Sequence, residues 1–168
     1  MSISMYQASI PVFQRALANL SAILDKAAAF AEAKKIDPSV LINARLAPDM
    51  FPLGRQVQIA SDVVKGAAAR LADLDVPSFP DTEVTIPELQ ARITKTLDYL
   101  ASVHATKIDG TEDKTIVLTM KSGDLTFSGQ SYLLTFVLPN LFFHVTAAYA
   151  ILRHNGVDIG KRDYLGNS

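Results

Sequence analysis

The chain has 168 residues, with Lys+Arg 16 against Asp+Glu 17 and a formal charge of −1. That length suits one domain, and the near balance of charge leaves no electrostatic footprint for nucleic acid or an anionic membrane surface. There is no cysteine, which excludes disulfides, thiolate nucleophiles and Cys-based zinc sites.

The N-terminus, MSISMYQASI, lacks a basic region followed by an apolar core. It does not read as a secretory signal, and the expected location is cytoplasmic. The first long helix is expected over 11–34, with Ser9 as its N-cap and Pro11 in its first turn, where a missing amide hydrogen is tolerated. Phe13, Leu17, Leu20, Leu24, Ala27 and Ala31 recur at spacings of four and three, the seam of a helix packed at a shallow angle. Asp37-Pro38 then ends it and caps a short turn, PSVLINA.

A second helix is expected over 51–72. Leu53, Val57, Ala60, Val64, Ala67 and Leu71 repeat the seam, while Gln56, Asp62, Lys65 and Arg70 lie off it. The proline-containing stretch DLDVPSFPD is a loop. A capping box, Thr85 with Glu88, opens a third helix expected over 86–105. Its stripe is Ile86, Leu89, Ile93, Leu97, Leu100 and His104. Thr115–Met120 alternates apolar and polar residues, Ser122-Gly123 supplies a turn, and Leu125 and Phe127 alternate on the return. A hairpin is expected over 114–128, packed on the helices because a lone hairpin is marginal.

Residues 132–152, YLLTFVLPNLFFHVTAAYAIL, carry no full charge. Pro139-Asn140 interrupts the stretch, His144 would be unpaired in lipid, and the other helices each need a partner for one apolar stripe. It therefore reads as the most buried helix, expected over 139–155, and not as a membrane span. Gly156 suits its C-cap. The tail, VDIGKRDYLGNS, reads as polar and solvated. The expected architecture is all-α: four helices in a bundle, with the hairpin between the third and fourth.

The residues that could carry chemistry are few. His144 sits beside the seam of the most buried helix and needs a hydrogen-bond partner there. His104 ends the third stripe, where it could meet a neighbouring helix and join the candidate pocket as part of a ligand set with His144, or point to solvent. His154 lies at a helix C-terminus, where the dipole accounts for it. Arg45 and Asp49 could pin the turn before the second helix as a buried pair, or line a pocket with Gln56 and Asp62 opposite His144. Tyr149, on the same helix as His144, joins that candidate pocket. No glycine-rich phosphate loop, dinucleotide fingerprint or nucleophile elbow is present.

Three stretches carry a resemblance: IDPSVLINARLAPDMFPLGRQV, ASDVVKGAAARL and LPNLFFHVTAAYAILRHNGVDIGKRDYLG. Together they resemble an uncharacterised family, domain of unknown function nineteen-ninety-three, grouped with the DinB/YfiT-like proteins. The resemblance covers nearly the whole chain and implies a four-helix bundle, often paired as a homodimer. It also implies a metal site with one histidine from the second helix and two, a turn apart, from the fourth; some such relatives are thiol-dependent transferases. In this chain the second helix has no histidine, and on the fourth only His144 matches, with Asn140 and Ala148 as its neighbours. The expectation is a binding module for an unidentified small molecule, with a degenerate site where zinc or nickel would not bind tightly. The alternative is an enzyme using His144.

Overall fold

The computed structural model describes residues 2–120 and 123–166. Its long helices are α1 (Met5–Lys34), α3 (Leu53–Ala72), α4 (Ile86–Ser102) and the run from Gly129 to His154. Short helices α2 (Pro38–Asn43) and α5 (Ala105–Ile108) follow α1 and α4, and α8 (Lys161–Leu165) closes the chain. The two strands, β1 (Thr115–Met120) and β2 (Gly123–Ser128), pair antiparallel with Thr115 opposite Ser128 and Met120 opposite Gly123. The domain is mostly helical with one small hairpin. Ser122, expected in the hairpin turn, lies outside the described residues.

The long helices pack in a ring. α1 lies against α4 and α7 (Leu138–His154), and α3 lies against the same two. The seams fill the space between them: Leu17, Leu24, Val57, Val64, Ile93, Leu100, Val145 and Leu152 are all buried. Complete burial of a Leu or Val side chain is worth about 1.5–3 kcal/mol each, so the shared core dominates the stability of every helix.

Helix ends depart from expectation in three places. α1 begins at Met5, capped by Ser4, whose hydroxyl accepts from the Gln7 amide while the Gln7 side chain accepts from the Ser4 amide. Ser9 is buried within the helix and donates back to the Met5 carbonyl at 2.6 Å. Pro11 is exposed in the same helix and needs no partner. α4 ends at Ser102, so His104 leaves the apolar stripe and stands exposed ahead of α5.

The last long helix starts at Gly129, ten residues before the proline expected to open it. α6 (Gly129–Ser131), a π segment (Tyr132–Val137) and α7 run on as one 26-residue helix. Pro139 cannot donate to Thr135, and its ring crowds the turn before it. The chain answers by widening that turn: the Leu138 amide reaches back five residues to the Leu133 carbonyl. By length and composition this helix could cross a membrane, and 39% of its most apolar window is buried in the fold.

Two anchors hold the hairpin over the C-terminal half of α3. Lys114 Nζ donates to the Arg70 carbonyl at 2.9 Å and lies 3.1 Å from Asp73 Oδ1, capping α3 where its dipole is negative. The Gln130 amide donates to the Glu112 carbonyl at 2.8 Å. The tail is not simply solvated: Val157 and Ile159 are buried, and α8 packs on α1.

Candidate functional site

α3 and α7 run antiparallel, so residues far apart in sequence meet level by level along their seam. At one level, Gln56 faces His144. Both side chains are buried, and His144 Nδ1 lies 2.7 Å from Gln56 Oε1. The Gln56 amide nitrogen donates to the Phe51 carbonyl at 3.0 Å. That second bond fixes the amide, leaving its oxygen to accept from His144, so Nδ1 carries the proton. Nε2 makes no hydrogen bond among the described residues. Burial, reinforced by the positive charge of Arg55, lowers the His144 pKa below its ordinary value. Phe143 stacks edge-on against the ring at 5.2 Å between centroids.

The other expected members do not gather round His144. Asp62 is on α3 but binds Lys65 Nζ at 2.7 Å and Arg92 Nη2 at 2.9 Å. His104 is exposed beyond the end of α4. Arg45 and Asp49 are both exposed, and Arg45 donates to the Met50 carbonyl instead of pairing with Asp49. The turn is thus pinned by a backbone carbonyl, which needs no second charge. Tyr149 turns to the tail, edge-on to Tyr164 at 6.0 Å. No group of three or more His, Asp or Glu side chains is placed to hold a metal ion among the described residues.

A charged cluster went unforeseen. Arg92, almost fully buried on α4, lies 2.9 Å from Asp62 and Asp81 and 3.0 Å from Glu83. Arg55 pairs with Asp81, and Gln58 donates to Glu83 at 3.0 Å. Lys65 and Lys95 both place their ammonium groups over the Phe79 ring, 4.1 and 4.2 Å from its centroid. Burial alone would weaken the hold of Arg92 on its proton, but Glu83, Asp62 and Asp81 outweigh it and raise its pKa. Together these groups clamp loop 73–85 onto α3 and α4.

Further along the same seam is a groove of about 510 Å³, lined by residues of α3, β1 and the π-containing helix. Asp62, Arg70, Thr119, Tyr132 and Asn140 supply its polar groups, and Val63, Val117, Leu118, Met120 and Phe136 its apolar walls. It is within the size range of small-molecule sites.

The sequence matches the family described as Domain of unknown function (DUF1993) over residues 5–165. The chain belongs to that family. It is also similar to a crystal structure of a DinB family member protein from Shewanella denitrificans, at 43% identity and a TM-score of 0.90. That similarity covers 97% of this chain and 92% of the other. No curated protein matches the chain. For this DUF1993 member the likeness to a DinB family protein extends over nearly the whole chain.

Proposed function

We propose that the protein is a DinB/YfiT-like four-helix bundle acting as a small-molecule-binding module whose metal site is degenerate. The observation that carries this reading is the His144–Gln56 hydrogen bond. The resemblance to metal-binding DinB-like proteins puts a histidine on the second long helix; here the side chain that meets His144 from that helix is an amide. Its nitrogen is committed to Phe51, and its oxygen is committed to His144. A zinc centre takes about three protein ligands. One imidazole beside an occupied glutamine makes a weak start, so zinc or nickel would bind loosely. The groove further along the α3–α7 seam, which neither His144 nor Gln56 lines, then becomes the place where a ligand is held.

A second reading has one observation behind it. Nε2 of His144 has no partner among the described residues, and its lowered pKa keeps the ring neutral near pH 7. A neutral imidazole could serve as a base, and the enzyme reading would use His144 that way.

Two further features complete the proposal. The balanced charge and absence of cysteine suit a cytoplasmic protein. The long apolar helix leaves Leu134, Phe142 and Phe143 exposed, which suits pairing with a second copy. Metal analysis of protein purified without a histidine tag tests the main reading. Substoichiometric metal is expected, and one equivalent of retained zinc or nickel would overturn it.

A further inference from the structure

The groove between α3, β1 and the π segment contains an arginine with no acidic partner among the described residues. Arg70 lies across its own helix. A Cβ at Gly66 would overlap its Nη1, so the glycine leaves the guanidinium room to settle there. Nη1 donates to the Tyr132 hydroxyl at 3.2 Å. Tyr132 is 1% exposed, and its own hydroxyl proton has no acceptor among the described residues. Two donors, a guanidinium and a phenol, thus sit side by side on the groove wall. Lys114, which directly precedes β1, is taken up by the C-terminal carbonyls of α3.

The other end of the groove differs. Asp62 also lines it. Its Oδ1 is held by Lys65 and Arg92, while Oδ2 makes no hydrogen bond among the described residues. Asn140, on the facing helix, also lines the groove. Eight residues of α3 separate Asp62 from Arg70, a rise of about 12 Å. Between the two ends the surface is apolar, formed by Val63, Leu118 and Phe136.

We propose that this groove takes an elongated monocarboxylate. The carboxylate lies between the Arg70 guanidinium and the Tyr132 hydroxyl, the apolar body rests on Phe136 and Leu118, and a terminal hydroxyl or amine faces Asp62 and Asn140. Arginine is suited to this task because its fork matches a carboxylate. A dianion is disfavoured, since Asp62 shares the groove and Arg70 is the cation left unpaired there among the described residues. This assignment rests on the binding-module reading and adds the ligand chemistry.

The test is an amide NMR titration of the full chain with 8-hydroxyoctanoate, compared with 1,8-octanediol. The acid is expected to shift amides of 63–70, 117–120 and 132–140 saturably. It should bind at least about tenfold tighter than the diol, the usual worth of a hydrogen bond to a charged group. Arg70→Gln should bring the acid down to the level of the diol. Should that variant fail to fold, Tyr132→Phe keeps the ring, and is expected to weaken the acid while leaving the diol unchanged. Equal binding of acid and diol in the groove would overturn the carboxylate assignment and leave the binding module standing. No saturable shift in those segments at millimolar acid or diol would overturn both.

Discussion

His144 Nδ1 and Gln56 Oε1 are 2.7 Å apart, 88 positions from one another in the chain, and both side chains are buried. The pair ties the most apolar helix to α3 through the one imidazole of that helix's buried face. Because Gln56 is itself held by the Phe51 carbonyl, a chain of two hydrogen bonds runs from the α7 helix to the turn before α3.

This pair makes stability depend on pH in a defined direction. Burial lowers the His144 pKa, so the unfolded chain takes up a proton first as pH falls. The contribution of neutral His144 is complete above its ordinary pKa of 6.5 and declines as pH drops below it. Urea unfolding of the parent should therefore lose stability between pH 7 and pH 5 more steeply than a His144→Gln variant. Parallel slopes would show that the ring is not held neutral by the fold.

Arg92 is expected to be the most sensitive charged residue. Arg92→Ala leaves Asp62, Asp81 and Glu83 facing each other without their common cation. Breaking a fully buried pair costs about 3–5 kcal/mol, but these carboxylates are partly exposed, so about 2 kcal/mol is expected. Loop 73–85 should also become cleavable by protease near Phe79. A variant with unchanged urea midpoint and protease resistance would contradict the clamp.

Gly129 has a steric role. A Cβ there would overlap the Thr111 carbonyl oxygen, which is backbone and cannot swing aside. Gly129→Ala should destabilise by about 1–3 kcal/mol. Gly160→Ala, where a Cβ meets nothing within 4 Å, is the control and should stay within about 0.5 kcal/mol. Thermal melts of the two variants separate them.

The exposed apolar residues of the last long helix make a prediction about assembly. Phe143 is 57% exposed and Leu134 49%. Light scattering should give twice the 18.2 kDa chain mass, and Phe143→Lys should shift it toward the monomer if that face is the contact. A parent mass of one chain at high concentration would contradict pairing.

The helix seams could be read from the sequence because period and burial coincide: every seam position named on the first two long helices is buried, whereas on α4 Leu97 is half-buried and His104 exposed. The Thr85–Glu88 capping box was legible for the same local reason. The start of α1 is hard to place from sequence because Pro11 suits a helix opening, although Ser4 and Gln7 carry the capping-box pattern that sets it. Pro139 misleads in the same way, since the widened π turn before it lets the helix run on through the proline. His104 fell off its stripe because the chain turns extended at Val103, and nothing in the local sequence marks that change.

The site was less legible. His144 and Gln56 were both candidates, but their pairing depends on how α3 and α7 align. Arg92 was missed because its partners sit in a proline-containing loop that the fold alone brings to it. Arg70 and Tyr132 meet across 62 positions; the only local hint was Gly66, one turn before Arg70.

Calorimetric titration of the metal-free chain with zinc tests the central claim most directly, beside a His144→Ala control. A glutamine-paired histidine predicts no tight one-to-one binding, and a parent isotherm indistinguishable from that of the variant. Tight stoichiometric zinc binding in the parent that His144→Ala abolishes would contradict the binding-module account and make this bundle a metal protein.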